Sequence, residues 1–299
     1  MRRPSIDAGA RVALVAPAGP LRDQADLERA MLNVRSFDWT PVRGAHVLER
    51  EGYLAGGDGD RLADLNVALA DDSIDAVWCL RGGYGVMRIL ETVDYAALRR
   101  RPKPVIGYSD ITALHSAIAT RCESITYHGP TARAALTDFS RASLARAITG
   151  SDCCGVADGA EILRGGRARG RLVGGNLALL CALAGTPYAP DYTDAILVLE
   201  DVNEPVYRID RMLTQLRLAG VLSRCRAIVF GQFTDVPQDS PEENLGARRL
   251  RDVLRESAEI AGVPCIAGAP IGHIADQWTL PLGAAAELDA DARTLRILE

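Results

Sequence analysis

The sequence predicts an α/β protein, with a parallel sheet in its first half and a smaller, β-rich unit in its second. Three observations predict it. Short apolar runs alternate with stretches of helical spacing through about the first 140 residues, the pattern of βαβ units. Glycine-rich turns close several of those runs. The texture then changes: Arg141 to Arg169 is rich in arginine, glycine and serine, and a second set of apolar runs follows. A chain of 299 residues exceeds an ordinary single core, so one large or two medium domains are expected. The expected division is 1–140, a connection over 141–169, and 170–299.

Arg11 to Ala16 is a β-rich run stopped by Pro17-Ala18-Gly19-Pro20, a strand and its turn. Leu21 to Val34 spaces its apolar residues as a helix does. Gly44 to Leu48 is expected as a second short strand. Asp60 to Ala70 carries Leu62, Leu65, Val67 and Leu69 and predicts a helix. Ala76 to Leu80 is a third strand, closed by Arg81-Gly82-Gly83-Tyr84-Gly85. Val86 to Leu98 is expected as helix, and Pro104 to Ile106 as the next strand. In the second half a helix is expected from Leu177 to Leu183 and a buried strand over Ala195 to Leu199, ending at Glu200. Ile209, Met212, Leu213 and Leu216 give Tyr207 to Leu218 an amphipathic helical face. Ala227 to Gly231 is a strand and Ala247 to Ala261 a charged helix. Short strands close the chain at Pro264 to Gly268 and within Ala285 to Leu298.

The net charge of −5 and a sequence pI near 5.5 argue against a nucleic-acid binder. No apolar run approaches the roughly 20 residues that span a bilayer. Arg2 and Arg3 open the chain, but no signal-peptide core follows them. The seven cysteines form no C-x-x-C pair and are odd in number, which argues against a disulfide framework or a zinc site. A cytoplasmic compartment follows. Gly56-Gly57-Asp58-Gly59-Asp60 lacks the twelve-residue ligand pattern of a calcium loop and is expected as a turn before a helix.

Chemistry centres on Gly107-Tyr108-Ser109-Asp110-Ile111. Strand, tight turn, serine and helix are the layout of a nucleophile elbow, although a serine there also fits a plain helix N-cap. A serine nucleophile needs a base and a group to orient it. Four histidines exist: His46, His115, His128 and His273. His115 lies six residues past Ser109 on the same helix, more than a turn away. His128 and His273 fall in expected loops. Glu200 closes a very apolar strand, where a carboxylate must find a partner; that partner is a catalytic histidine or one of Arg208 and Arg211. The order Ser109, Glu200, His273 matches one triad order. The Arg81–Gly85 turn suits either a phosphate or an oxyanion, but lacks G-x-G-x-x-G spacing.

Taken together, these motifs resemble the LD-carboxypeptidase (muramoyltetrapeptide carboxypeptidase) family of serine peptidases. The resemblance spans nearly the whole chain. It runs through Val12–Gly19, Arg81–Gly85 and Ile106–Asp110, then Gly170–Leu177, Leu199–Glu204, Tyr207–Arg211 and Gly272-His273. It implies a flavodoxin-like N-terminal domain carrying the nucleophile and a smaller β-rich domain carrying acid and base. Ser109 is then the nucleophile, His273 the base and Glu200 its orienting acid. The amides of Asp110, Gly82 and Gly83 are the oxyanion donors. The second glycine of the hydrolase elbow is absent here, so family likeness carries this assignment. The implied substrate is the murein tetrapeptide, cleaved between meso-diaminopimelate and terminal D-Ala in peptidoglycan recycling. No metal or cofactor is implied, and a homodimer is. Arg81 is a candidate for the substrate carboxylate on chemistry alone, with a structural salt bridge as its other reading. Two rivals remain: an immunity-type peptidase of the same superfamily cleaving aminoacyl-nucleotide antibiotics, and a non-catalytic ligand-binding α/β protein.

Overall fold

The structure, a computed structural model, describes residues 4–150, 152–237 and 248–298. The opening arginines and Ala247, the expected start of the charged helix, lie outside the described residues. The first half builds β1 (Arg11–Val15), α1 (Gln24–Arg35), β2 (Thr40–Arg43), α2 (Asp58–Ala70), β3 (Ala76–Cys79), α3 (Tyr95–Arg100), β4 (Val105–Gly107), α4 (Thr112–Cys122), β5 (Thr126–His128) and α5 (Asp138–Thr149). The remainder builds β6 (Gly155–Val156), β7 (Glu161–Arg164), β8 (Arg167–Asn176), α6 (Leu177–Leu183), β9 (Ala195–Val202), α7 (Val206–Leu218), β10 (Ala227–Thr234), α8 (Leu250–Ala261), β11 (Cys265–Ala267), β12 (Leu280–Leu282), β13 (Ala285–Asp289) and β14 (Thr294–Ile297).

Two sheets result. The first runs β12-β5-β4-β3-β1-β2, and its five N-terminal strands are parallel. The second runs β6-β14-β13-β8-β9-β10-β11-β7, parallel from β8 to β11 and antiparallel at both flanks. Strand periodicity explains the layers. Val12 and Leu14 face one side of the first sheet, with α1 and α5, while Ala13 and Val15 face the other, with α2, α3 and α4. In the second sheet Leu197 and Leu199 meet α6, α7 and α8, and Ile196 and Val198 meet Trp278 and Leu280. Central strands buried on both faces must be continuously apolar, which is why these runs stand out in the sequence. Each fully buried Val, Leu or Ile contributes about 1.5–3 kcal/mol.

Two expectations need correction. The second strand is Thr40–Arg43, not Gly44–Leu48. There the carboxylate of Asp64 accepts the amides of Ala45 (3.0 Å) and His46 (2.9 Å), and those bonds hold a turn. Val86–Leu98 is not one helix but two 3-10 turns, Val86–Arg88 and Leu90–Thr92, then α3; Asp94 caps α3 by accepting the amide of Ala97. Residues 141–169 hold most of α5, then β6, β7 and the first residues of β8.

The two sheets meet where the site is built. At the start of α4, Thr112 Oγ1 accepts the amide of Asn176 at 3.0 Å. Gly175 lies against that threonine: a Cβ at this position would sit 2.6 Å from Oγ1. The chain also crosses back, since β12 pairs antiparallel with β5 and completes the first sheet.

Candidate active site

The nucleophile turn begins where β4 runs out. Gly107 O accepts two bonds, from the Gly129 amide (3.1 Å) and from His115 Nε2 (2.8 Å). Burial pushes the His115 imidazole down to about 4, so this ring is neutral and its proton sits on Nε2. His115 therefore supports the turn from behind. Tyr108 is extended, and Ser109 then takes φ +66°, a left-handed conformation a serine adopts only under constraint, at about 1–2 kcal/mol. Ser109 is not the N-cap of α4: it opens a 3-10 turn, Ser109–Ile111, that leads into the helix. Strain at this one residue is the signature of an elbow.

The glycine turn after β3 lies against it. At Gly82 a Cβ would fall 2.7 Å from Ser109 Cβ and 2.8 Å from its Oγ, so only glycine allows this approach. Among the described residues the amides of Gly82 and Gly83 donate to no acceptor. Asp110 ties turn to elbow, because its Oδ2 accepts the Val86 amide at 2.9 Å. Burial raises the Asp110 carboxyl to about 6. From the other side the buried Arg61 guanidinium donates to Gly85 O (3.0 Å) and to Pro17 O.

The second half of the site comes from the other sheet. Glu200, wholly buried in β9, accepts the Nδ1–H of His273 through Oε2 at 2.8 Å. Its neighbour Gly272, at φ +112°, presses against the carboxylate, where a Cβ would lie 2.8 Å from Oε2. Arg208 does not engage Glu200; it pairs with Glu204 at 2.9 Å. Arg211 stacks on Tyr207. The next residue, Asp201, is raised to about 6 by burial; it accepts Asn176 Nδ2 (2.8 Å) and the Ala178 amide (3.0 Å), fixing β9 to α6.

The halves meet through Tyr108. Its ring lies 4.7 Å from the ring of His273 and 6.0 Å from that of His128. Ser109 is thus one residue from the ring against which His273 packs. Ser109 Oγ makes no hydrogen bond among the described residues; in a ligand-free site such bonds are commonly long and tighten with substrate. With Nδ1–H engaged by Glu200, the lone pair of His273 Nε2 remains to accept a proton. His128, in β5 rather than a loop, is neutral: burial drives it down to about 3, and neither ring nitrogen has a partner among the described residues. His46 lies elsewhere, with Nδ1 2.9 Å from Asp64.

Arg81 makes no salt bridge among the described residues. Its Nε donates to Gly82 O (3.1 Å) and its Nη1 to Pro20 O (2.7 Å), so it braces the turn beside Ser109. Sequence reasoning missed Tyr108, Asp110's side chain and Asp201. Only Asp110 carried a signal, a carboxylate directly after an elbow serine. A cavity of about 1260 Å³ opens behind α4, lined by Ser116, Thr120, Arg171 and Asp191; it includes none of Ser109, Glu200 and His273. Among the described residues no three His, Cys, Asp or Glu side chains group as metal ligands, and none of the seven cysteines forms a disulfide.

Residues 12–129 match the LD-carboxypeptidase N-terminal domain and residues 169–288 the LD-carboxypeptidase C-terminal domain. The murein tetrapeptide carboxypeptidase of Pseudomonas aeruginosa is 37% identical, over 94% of each chain. The crystal structure of muramoyltetrapeptide carboxypeptidase from Oxalobacter formigenes superposes with a TM-score of 0.85 at 29% identity, covering 96% of this chain and 98% of that one. The microcin C7 self-immunity protein MccF, in complex with glutamyl sulfamoyl guanosine, shares the fold at a TM-score of 0.89 and 22% identity, covering 99% and 97%.

Proposed function

Because this chain belongs to the LD-carboxypeptidase family of serine peptidases, we propose that it hydrolyses the meso-diaminopimelate–D-Ala bond of murein tetrapeptides, releasing D-Ala in peptidoglycan recycling. The observation that carries the mechanism is the 2.8 Å bond from His273 to the buried Glu200, beside the strained Ser109 turn. Ser109 Oγ attacks the carbonyl of the diaminopimelate residue while His273 Nε2 takes its proton. The amides of Asp110, Gly82 and Gly83 hold the developing oxyanion. The C–N bond breaks as His273 returns the proton to the departing D-Ala amine. Water, deprotonated by the same imidazole, then hydrolyses the acyl-enzyme and frees the tripeptide. Glu200 keeps the proton on Nδ1 and balances the imidazolium that forms. Arg81 receives the terminal carboxylate. The working enzyme is taken as a cytoplasmic homodimer.

The test is D-Ala release from murein tetrapeptide, with a chelator present, by the wild type and by Ser109→Ala. Release by the wild type alone is expected. Equal release by both proteins overturns the role of Ser109. No release by either redirects the assignment to aminoacyl-nucleotide cleavage or to ligand binding without chemistry.

A further inference from the structure

We propose that the arginines gathered on the segment Pro20–Asp26, beside the Ser109 turn, form the site that makes this enzyme an exopeptidase, with Arg133 joining Arg81 in holding the terminal carboxylate of the substrate. This rests on the serine carboxypeptidase reading above. The segment is a hub. Arg81 Nη1 donates to Pro20 O at 2.7 Å and Arg50 Nη2 to Leu21 O at 2.8 Å. Arg22 Nε and Arg133 Nη1 share Oδ2 of Asp26, at 3.4 and 3.2 Å, and Arg29 takes Oδ1 at 3.5 Å.

The charges do not balance. One carboxylate, Asp26, serves Arg22, Arg29 and Arg133, while Arg81 and Arg50 have no carboxylate within 4.0 Å among the described residues. Burial pushes the Asp26 carboxyl up, but the hydrogen bonds from Arg22 and the charges of Arg133 and Arg22 together keep it below its ordinary value, so Asp26 is ionised. Burial, and next the Arg133 charge, lower the affinity of Arg81 for its proton. A guanidinium still stays charged at neutral pH. Half-buried like charges beside a nucleophile are unfavourable in the free protein and become favourable when an anion arrives.

The position suits the terminal carboxylate. Arg81 directly precedes Gly82, which touches Ser109. The backbone amide of Arg133 donates to Leu80 O at 3.4 Å, so the loop after β5 that carries Arg133 lies against the residue that precedes Arg81. The Nε of Arg133 is buried without a partner. In a carboxypeptidase substrate the free carboxylate lies one residue past the attacked carbonyl, roughly 4 Å further along the chain. Arg81 beside the Ser109 turn and Arg133 on the adjoining loop are the two guanidiniums that would grip it, and an internal peptide bond would bring them no negative charge.

The experiment compares kcat/KM for the tetrapeptide ending in a free carboxylate and for the same peptide ending in a carboxamide. Wild type, Arg81→Gln, Arg133→Gln and Arg133→Lys are measured, with fluorophosphonate labelling of Ser109 and melting temperature as folding controls. The wild type should prefer the acid, and Arg133→Gln and Arg81→Gln should each reduce that preference by roughly 10- to 100-fold, the range for a charge-assisted hydrogen bond. Arg133→Lys should keep part of it, and decides the question if Arg133→Gln fails to fold. An unchanged acid-to-amide ratio in a folded Arg133 variant overturns the inference while leaving the carboxypeptidase reading intact. A wild type that cleaves neither peptide overturns that reading instead, and this one with it.

Discussion

Replacing Gly82 by alanine should disable the enzyme without unfolding it. Gly82 lies outside the left-handed region, so an alanine meets no backbone strain there. The whole effect is contact: the new methyl would lie 2.7 Å from Ser109 Cβ, 2.8 Å from Oγ and 3.2 Å from Tyr108 O. Ordinary carbon–carbon contact is about 3.5–4.0 Å, so turn and elbow must separate by roughly 0.8 Å or more. That separation falls between the nucleophile and two of the amides proposed to hold the oxyanion. A misplacement of about 1 Å costs on the order of 10²-fold in rate, or about 2.7 kcal/mol of transition-state stabilisation. The assay is D-Ala release together with the rate of Ser109 labelling by a fluorophosphonate. Melting temperature is followed in parallel, and Gly59→Ala serves as control. Gly59 lies in α2 with nothing within 4 Å of its added methyl. A Gly82→Ala protein that labels within threefold of wild type refutes the close-approach argument.

Two further outcomes follow from the histidines. Glu200→Gln should lower kcat by roughly 10³–10⁴-fold with KM little changed, because an amide can donate to Nδ1 and impose the tautomer that cannot accept a proton; near-normal kcat refutes Glu200 as the orienting group. The His128 value of about 3 lies below its ordinary 6.5, so the unfolded chain takes up a proton first. The stability His128 contributes is complete above pH 6.5 and is lost as pH falls towards 3, by at most about 1.4 kcal/mol per pH unit. His115, at about 4, acts in the same direction. Asp110 and Asp201, raised to about 6, oppose them between about pH 4 and 6, where the folded state holds the extra protons. Urea midpoints of His128→Phe between pH 7 and 4 should therefore decline less steeply than those of the wild type; parallel declines refute the buried neutral ring.

The parts of the fold legible in the sequence are those where one physical rule acts alone. Ala76–Cys79 and Ala195–Leu199 are apolar without interruption because helices or loops cover both sides of them. The glycine turn was visible as a turn, and the elbow as a strand end followed by serine. What escaped depended on partners far along the chain. Asp64 turns Gly44–Leu48 away from the sheet from 18 residues away, a capping bond no local pattern announces. The pairing of Glu200 with His273 spans 73 residues, and Glu200's local alternatives, Arg208 and Arg211, were equally good on charge. Arg133 was invisible for the same reason: a lone arginine in Thr131-Ala132-Arg133 gains meaning only beside Asp26, 107 residues earlier. Family resemblance supplied the long-range pairings that local periodicity cannot.

The return of β12 to the first sheet sets the timing of synthesis. Strand β5 keeps an unpaired edge until Leu280–Leu282 arrive, about 150 residues later in the chain. At 5–20 residues per second the ribosome needs roughly 8–30 s to make that stretch. Throughout that interval the nascent N-terminal half carries an open β-edge, the kind of surface on which neighbouring chains pair wrongly. The strand that closes the edge follows directly on the loop that carries His273, so a chain cut short before that loop has an open sheet edge and lacks the base proposed above.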